Sequence, residues 1–587
     1  NNGSKITLDG KKESVEASSA LIKSSGNLTL TNCNLQNNKN TESFGGAIYI
    51  NGGNATLTNC MVGSEVNDSG ETESWRNAAS QDNYSNYSAK GGGGIYIAEG
   101  IVAINNSKIS FNYTPNPDQN YGGNGPSGCT HGGGINIVKG SLSLTSSEVS
   151  YNSGYQGGGI RCYSDSSSAG TFTINDSNIK GNASRAYRCS DFGGAIMIKN
   201  FNFVCGDKTS TVEENYSGDG GAIFFENSTS TLQNIKIQNN AYNEEGYCNG
   251  ADVLLYANSN VSISSETVQI LNKETETKGV YINSSNNLNL SGSAHISTPI
   301  YLASDAKINV DGELTSASGT IVAKITLNDE CTSGTQILTT TTGIELSEML
   351  EYFDLTNDNY ILTEEGKIEV VTLISDTTDL DNFYDATNEC YSVSTGNYAF
   401  TQDIVLAAPI YIQNGESVSM WASNDAKITA SFADDNMIYI APSNSGDDVT
   451  SSLTLGKKNS AQLILSYSSD TYSTIQTEGK LILKDNCEIR DSKYCAIYVK
   501  QGDFEMQGGS IHDNIYEGDN IQSSAITFAD PTGTANNRIY GEFSGGKIYN
   551  NSTNTNVVAI SMMAIDGDKY NSSWVSVVNI EIYDNNA

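Results

Sequence analysis

Adjacent carboxylates are the simplest catalytic candidates in this chain, and Asp434 and Asp435 form such a pair. Glycoside hydrolysis needs two positioned carboxyl groups, one of which must have a raised pKa. The pair precedes Asn436 in a sequence typical of a turn, and no histidine or arginine motif lies nearby. We therefore expect Asp434 and Asp435 to lie in a solvated loop.

A second group of charged residues could support polysaccharide lyase chemistry, which needs a base beside an acidic, cation-binding patch. The group consists of Arg161, Arg185, Arg188, Asp165 and Asp191. These side chains would have to converge from neighbouring structural units, and exposed charges on inserted loops are more often structural. A polysaccharide lyase, a hydrolase or a tailspike-like enzyme is therefore the alternative, and a non-enzymatic protein is the main interpretation.

Metal-ligating residues are sparse. The chain has three histidines, His131, His295 and His512, which are too scattered for a histidine-based metal site or a catalytic triad. It contains no Cys-x-x-Cys motif, so the sequence predicts no metal centre and no cofactor. Acidic loops such as residues 67–73 favour at most adventitious Ca²⁺ binding.

Aromatic residues in the inserted segments are the best candidates for binding. They are Trp75, Tyr84, Tyr87, Tyr113, Tyr121 and Tyr155. Tyr and Trp on loops rich in Ser, Asn and Gly make good contacts with proteins or sugars. The alternative is that these rings cover the flank of the structure beneath them.

Length and charge limit what can position these residues. The chain has 587 residues, beyond the roughly 250–300 of one compact core, so it must contain several domains or a repeat array. Its formal net charge of −35 would repel nucleic acid and anionic membranes, so neither is an expected partner. No apolar run approaches the ~20 residues that a membrane-spanning helix requires.

A glycine cluster followed by isoleucine recurs through the first half of the chain. Its copies end at Ile48, Ile95, Ile135, Ile160, Ile196 and Ile223. The shortest intervals are 25 and 27 residues, and the residues between copies alternate apolar and polar as strands do. Because one such unit cannot bury its own apolar face, the units must stack. The predicted fold is all-β, a right-handed parallel β-helix.

An aliphatic residue followed three positions later by asparagine forms a second repeated element. The asparagines are Asn38, Asn112, Asn152, Asn182, Asn215 and Asn240, and the element returns at Asn514, Asn551 and Asn585. We expect these amides to stack as a structural ladder that satisfies buried turn backbone. The glycine clusters are interpreted as turns and not as phosphate-binding loops, because no helix follows them.

The repeats suggest three regions. Residues 1–295 are predicted to form a first β-helix with loop insertions, 296–372 closing coils plus a small β module, and 373–587 a second β-helix. Cys33 and Cys60 occupy equivalent interior positions and are expected to be stacked thiols. Five other cysteines, Cys129, Cys162, Cys189, Cys205 and Cys248, lie in or beside insertions and predict some loop disulfides if the protein is secreted.

The alternation of Gly-Gly-Ala-Ile with aliphatic-x-x-Asn resembles the polymorphic membrane proteins of bacteria, where the pair is written GGA[ILV] and FxxN. Residues 300–308 and 504–514 are similar to segments of repeat-rich spirochaete surface proteins. Here Ile, Val or Leu replaces the Phe of FxxN. The resemblance implies an extracellular, cell-surface adhesin that binds host or neighbouring-cell proteins or glycans.

The chain ends suggest a further alternative. Strand-like sequence starts at Lys5, and the chain stops directly after the last aliphatic-x-x-Asn element. Two hypotheses follow: the chain is a segment of a longer protein, or its end coils pair between copies to build a head-to-tail filament.

Overall fold

The chain folds into two compact units, which are described separately. In the computed structural model, unit 1 comprises Asn1–Asn357 with Leu362–Ile368, and unit 2 comprises Asp358–Ile361 with Glu369–Ala587. The structure describes residues 5–11, 17–65, 86–88, 90–114, 131–165, 170–184, 192–217, 220–242, 252–271, 279–316, 320–328, 330–341, 343–357, 359–442, 451–458, 460–516, 524–529, 539–553, 559–562 and 574–586.

Parallel strands stacked coil upon coil form sheets A and B of unit 1. Sheet A contains nine strands: Ile6–Asp9, Cys33–Gln36, Met61–Gly63, Lys108–Ser110, Glu148–Ser150, Asn178–Lys180, Ser210–Glu213, Ile235–Gln238 and Val268–Leu271. Sheet B contains seven: Lys39–Asn40, Asn86–Ser88, Asn112–Tyr113, Ser153–Gly154, Ala183–Ser184, Tyr216–Ser217 and Ala241–Tyr242. In each column, a strand pairs with the equivalent strand of the next coil.

Two further columns, sheets C and D, complete the wall of unit 1. The long strands Ile48–Thr58 and Ile95–Asn105 bend at a corner and run through both sheets. The other strands of sheet C are Ile22–Ser24, Ile135–Ile137, Ile160–Tyr163, Ile196–Lys199, Ile223–Glu226, Val253–Tyr256, Val280–Ile282, Ile300–Leu302, Ala323–Leu327 and Phe353–Leu355. Those of sheet D are Leu28–Thr31, Gly140–Thr145, Gly170–Asn175, Phe201–Cys205, Thr229–Leu232, Asn260–Ile263, Asn287–Gly292, Lys307–Leu314 and Leu338–Thr340.

Unit 2 repeats the stacking of parallel strands in sheets E to H, apart from an antiparallel pair formed by Tyr384–Asp385 with Cys390–Val393. Sheet E contains Tyr360–Leu362, Ile368–Ile374, Gly396–Phe400, Ser417–Ala422, Ser452–Leu455, Lys480–Leu483, Gly502–Met506, Ile539–Phe543 and Trp574–Val577. Sheet F contains Tyr384–Asp385, Cys390–Val393, Ile410–Ile412, Ile438–Ile440, Ile475–Thr477, Ile497–Val499, Ile526–Phe528 and Ile560–Met562. Sheet G contains Ile404–Leu406, Ala426–Ala430, Leu463–Ser466, Cys487–Arg490, Ser510–His512, Lys547–Tyr549 and Glu581–Tyr583, and sheet H pairs Ile515–Tyr516 with Ser552–Thr553.

The stacked parallel strands confirm the predicted parallel β-helix. Strands at 300–302, 323–327 and 353–355 continue sheet C directly from the preceding coils. Helical structure among the described residues is limited to a turn at Leu346–Met349 followed by a 3₁₀ turn at Leu350–Tyr352, and a second helix at Thr377–Asp381. Asp376 caps that second helix by accepting hydrogen bonds from the backbone N–H groups of Thr378 and Asp379.

Stacked isoleucines form the centre of the unit 1 core. The isoleucine after each glycine cluster is the first inward-facing residue of a sheet C strand, and all six of these side chains have no exposed surface. Successive copies pair in register, as Ile135 does with Ile160 and Ile196 with Ile223. The period-2 alternation of a strand then turns every second side chain outward.

The asparagines form a continuous ladder where sheet A turns into sheet B. The Nδ2 of Asn112 donates to Oδ1 of Asn152 at 2.9 Å, and that of Asn152 donates to Asn182 at 3.0 Å. The same bond joins Asn182 to Asn215 and Asn215 to Asn240. Each amide also binds backbone, since Asn152 accepts from the N–H of Asn112 and donates to the carbonyl of Ile109. All four hydrogen-bonding positions of the Asn152 amide are therefore used.

The ends of the ladder differ from its middle. Asn86, which lacks the aliphatic residue three positions earlier, occupies the rung between Asn38 and Asn112 and donates to Asn112 at 2.9 Å. Asn38 instead donates to the carbonyls of Ser19 and Gly46. At the other end Asn240 donates to the buried carboxylate of Asp252 at 3.0 Å.

Unit 2 contains a shorter ladder of the same kind. Asn514 Nδ2 donates to Asn551 Oδ1 at 2.8 Å, and Asn551 donates to Asn585 at 2.9 Å. The three C-terminal copies of the aliphatic-x-x-Asn element therefore serve the same purpose as those of unit 1.

Close backbone contact explains the glycine clusters. Gly132 has φ +69°, a conformation that favours glycine. A Cβ on Gly133 would lie 2.4 Å from the carbonyl oxygen of Gly158, which belongs to the turn of the next coil. The turns stack too closely for any side chain at this position.

Several cysteines are core residues. Cys162 and Cys205 face the interior of sheets C and D and are free thiols with at most 2% exposure, so they do not form the loop disulfides expected from sequence. Burial raises the pKa of Cys205 to about 12. Cys33 and Cys60 are also free and buried, as predicted. The remaining three, Cys129, Cys189 and Cys248, lie outside the described residues.

Replacing Asn152 with Leu should lower the melting temperature of unit 1. The change leaves the N–H of Asn112 and the carbonyl of Ile109 buried without partners, which costs on the order of 1–3 kcal/mol. Asn202→Leu, at an exposed outward position of sheet D, is the matched control and should have little effect. Thermal unfolding followed by circular dichroism measures both, and equal melting temperatures would contradict a stabilising ladder.

Candidate binding site on the outer face of sheet C

The outward-facing residues of sheet C form one continuous row, which we call the outer row. In register along the coils, it consists of Tyr49, Tyr96, Asn136, Arg161, Met197, Phe224, Leu254, Tyr281 and Tyr301. Each lies between two inward-facing apolar residues, as Tyr49 does between Ile48 and Ile50. Exposed strand faces are usually polar, but the seven side chains from Tyr96 to Tyr281 are at most 9% exposed. The row is therefore packed beneath neighbouring residues, and the partly exposed residues around it are the candidate contacts.

Aromatic contacts occupy both halves of the outer row. Phe44, from the turn before sheet C, stacks on Tyr96 with ring centroids 4.2 Å apart. Phe192 packs on Phe224 with ring centroids 4.5 Å apart. Near the end of the row, Tyr281 stacks on the next tyrosine at 5.0 Å. The rings of these described turn residues therefore help to cover the row.

The middle of the outer row is polar and cationic. The guanidinium carbon of Arg161 lies 3.8 Å from the centre of the Tyr163 ring, and Lys199 Nζ approaches the same ring at 4.9 Å. Such cation–π contacts are worth about 0.5–2 kcal/mol. The Tyr163 hydroxyl donates to Asp165 at 2.9 Å, and Lys199 pairs with Glu226 at 2.8 Å.

Burial and these pairings shift the pKa values of the cluster. Burial lowers the pKa of Lys199, but its hydrogen bond and ion pair with Glu226 outweigh this effect and raise the pKa above its usual value. Burial and the hydrogen bond to Asp165 raise the pKa of Tyr163. At neutral pH, Lys199 is therefore charged and Tyr163 is a neutral hydroxyl.

His131 and Asn136 bring further polar atoms to the same place. Burial, assisted by the charge of Arg161, lowers the pKa of His131 to about 2, so its imidazole is neutral. The buried Nδ1 of His131 and Oδ1 of Asn136 have no hydrogen-bond partner in the part of the chain that the structure describes. The His131 ring lies 5.6 Å from the Tyr155 ring. A ligand that offers hydrogen-bond donors would satisfy both atoms.

Three long chain connections of unit 1 lead from sheet B to sheet C, whereas a fourth, from Gly63 to Asn86, leads from sheet A to sheet B. The first three join Tyr113 to Ile135, Ser184 to Ile196 and Tyr242 to Val253. The corresponding connections of intervening coils, such as the one that ends at Ile160, are much shorter. Because successive coils stack, these three inserted segments start along one edge of sheet B and end along one edge of sheet C.

The aromatic residues predicted to bind a partner lie in different environments. Tyr155 lies beside His131 at this edge. Tyr113 lies in a sheet B strand and not in a loop; its side chain is 9% exposed and clusters with Phe111 and Tyr151. The backbone of Tyr87 also belongs to sheet B. The other three, Trp75, Tyr84 and Tyr121, lie outside the described residues.

The described members of the other charged candidates lie at two separate places along the chain. Asp434 and Asp435 lie in a bend before the strand Ile438–Ile440, and Asp435 Oδ1 accepts from the N–H of Asn436 at 2.7 Å. In the lyase group, Arg161 and Asp165 both lie against the Tyr163 side chain. The rest of that group, Arg185, Arg188 and Asp191, lies outside the described residues.

The remaining histidines lie in other parts of the chain. His295 is exposed. His512, in unit 2, lies 2.8 Å from Asp513 and stacks on Tyr549 at 4.6 Å. Within the described ranges, no group of three or more His, Cys, Asp and Glu side chains could hold a metal ion. Residues 67–73, the acidic loop considered for Ca²⁺, are not among those described.

Sequence inspection missed the outer row, although a signal was present. The pattern aliphatic-Tyr-aliphatic places Tyr49 and Tyr96 directly after their glycine clusters. Unit 2 has the same pattern in sheet F, where Tyr411 and Tyr439 pack with ring centroids 4.5 Å apart. There the Tyr439 hydroxyl donates to Glu478, which also pairs with a lysine at 2.8 Å.

Comparisons with known proteins are uninformative about function. No family model matches the chain, and no curated protein matches it significantly. A solved structure of the PL6 family alginate lyase AlyGC is similar at 9% identity, covering 99% of this chain and 100% of the other, with a TM-score of 0.16. A mutant of that lyase aligns at 8% identity over the same shares, with a TM-score of 0.17.

The neutral state of His131 predicts a specific pH dependence. Between pH 6.5 and about 2 the unfolded chain binds a proton at His131 that the folded chain does not, so this residue destabilises the fold as pH falls. His131→Gln should therefore lose less stability on acidification than the wild type, by up to about 1.4 kcal/mol per pH unit. Urea unfolding at pH 7, 6, 5 and 4 measures the difference.

His295→Gln is the matched control, because an exposed imidazole is hydrated in both states. It should follow the wild-type pH dependence. Parallel curves for His131→Gln and the wild type would show that His131 is not held neutral.

Proposed function

We propose that this chain is a non-enzymatic, extracellular surface protein that binds proteins or glycans of a host or neighbouring cell, in the manner of an adhesin. The main supporting observation is the position of three inserted segments, which lead from the ends of sheet B strands to the edge of sheet C beside the outer row. A rigid β-helix with variable loops along one edge is a suitable scaffold for recognition, because binding residues on loops are held by a fixed framework.

The chemistry of the partly exposed residues around the outer row supports binding of polar, hydroxylated or aromatic partners. Tyr155, Tyr163 and Tyr256 are at least partly exposed and offer both ring faces and hydroxyl groups. Arg161 and Lys199 place two cations against Tyr163 within a chain of net charge −35. This combination favours a ligand with both an apolar face and hydrogen-bonding groups, which sugars and protein loops share.

No helix in the described part of the chain is long and apolar enough to cross a membrane. The proposed surface location therefore rests on the β-helix architecture and on the repeat pattern, which resembles that of bacterial surface proteins.

Binding arrays of host-cell proteins and glycans, run with a polysaccharide degradation screen, test the proposal. Tyr155→Ala should weaken binding of any array ligand by about tenfold, because a contact ring of this size contributes on the order of 1–2 kcal/mol. Tyr384→Ala, which removes an exposed ring in unit 2, is the matched control and should not alter that binding.

Two outcomes would count against an adhesin. Release of unsaturated or reducing sugar ends by the purified chain would favour the enzyme alternative. Absence of binding to every array component would contradict a role in recognition.

A further inference from the structure

The outer face of sheet D differs in composition from that of sheet A. Eight strands, from Leu28–Thr31 to Asn260–Ile263, contribute to it in continuous parallel register. Its central column holds six hydroxyl residues: Thr29, Thr56, Ser143, Thr173, Thr231 and Ser262. Ala103 and Val204 fill the two remaining positions. The column is thus an evenly spaced array of small side chains, most of which carry a hydroxyl group.

The strands of this face carry no charge. Only part of each of the long strands Ile48–Thr58 and Ile95–Asn105 belongs to sheet D. None of the eight strand segments in sheet D contains Asp, Glu, Lys or Arg, although 17% of the residues in the chain are charged. The outer face of sheet A, on the same coils, instead presents Lys108, Glu148, Lys180, Glu213 and Lys236. Exclusion of charge is therefore not a general property of these coils.

Two pairs of opposite charges flank this face at its corners. Glu99 pairs with Lys139 at 2.9 Å, and Asp176 with Lys208 at 3.6 Å. The strand surface between these corners is electrically neutral within a strongly acidic protein.

The hydroxyl groups of this face are available for hydrogen bonds with solvent or a ligand. Those of Thr29, Thr56, Ser143 and Thr173 make no hydrogen bond to any described residue. In later coils, by contrast, the outward side chains bond to one another. Asn309 donates to Oδ1 of Asn289 and accepts from the hydroxyl of Thr339, each at 3.1 Å. The hydroxyls of the early coils therefore bond with solvent and can exchange water for ligand hydroxyls.

We propose that the outer face of sheet D binds an uncharged polysaccharide chain lying along the coil axis. Stacked strands repeat every ~4.8 Å, so the eight-residue column extends roughly 34 Å, long enough for several sugar residues. Threonine and serine hydroxyls each donate and accept, as sugar hydroxyls do, and the threonine methyl groups supply apolar contact. The face is already ordered, so binding loses little conformational entropy.

The negative charge of the protein and the neutrality of this face favour an uncharged partner. An acidic polymer is repelled by a protein of net charge −35, and a cationic one would bind the acidic surfaces elsewhere in preference to a neutral face. An apolar protein surface would leave the hydroxyl groups unpaired. This site is distinct from the outer row of sheet C, so the inference does not depend on the loop-mediated binding proposed above.

Sedimentation with microcrystalline cellulose and with chitin, and affinity electrophoresis in soluble mannan, test the inference with the intact chain. We expect binding to at least one of these neutral polymers, unchanged between about 0.05 and 1 M NaCl because no ion pair is involved. Thr173→Lys and Thr173→Glu should each weaken that binding by about tenfold, since either charge would be desolvated without a partner.

Thr7→Lys and Thr7→Glu place the same charges on an exposed threonine of sheet A and should leave binding unchanged. Circular dichroism confirms that each variant is folded. Loss of binding only in Thr173→Glu, or salt-sensitive binding to alginate, would show that the face takes an acidic polymer and would overturn the inference. Failure to bind any neutral polymer, self-association through this face, or ice-recrystallisation inhibition alone would also overturn it.

Discussion

Coil-to-coil hydrogen bonding through the asparagine ladder is the interaction on which unit 1 depends. At the corner between sheets A and B the chain turns sharply, and the turn backbone is buried away from water. An unpaired buried N–H or carbonyl costs on the order of 1–3 kcal/mol, so each coil must supply a partner to the next. The Asn152 amide does this by binding the backbone of Asn112 and Ile109 as well as two neighbouring amides.

The ladder fixes the coil register, and the register in turn creates the surfaces. Once the isoleucines after the glycine clusters stack inside, every alternate residue must face outward in a matching column. This is why Tyr49 pairs with Tyr96 on sheet C, and why Ser143 pairs with Thr173 on the outer face of sheet D. A one-residue slip would move each column to the opposite face.

Substitutions in the interior therefore affect the coil stack more than changes in the connecting segments do. A substitution at Gly133 or Asn152 affects the adjacent coils because their backbones are in direct contact. The long connections between sheets B and C are instead attached to the stack at their ends, so their length and composition can vary without disturbing the coil register. The proposed recognition surfaces involve these segments, the partly exposed residues around the outer row and the outward column of sheet D.

The repeats in the sequence are sufficient to predict the fold class, because the recurring Ile and Asn positions can satisfy burial and hydrogen bonding only if the coils stack. They also indicate most ladder positions, although Asn86 lacks the aliphatic signal and had to be found in three dimensions. Tertiary structure decided which residues share a face. Tyr113 and Cys162 are buried, and Lys199 of the next coil contacts Tyr163, because these positions depend on strand register and corner positions that local sequence does not specify.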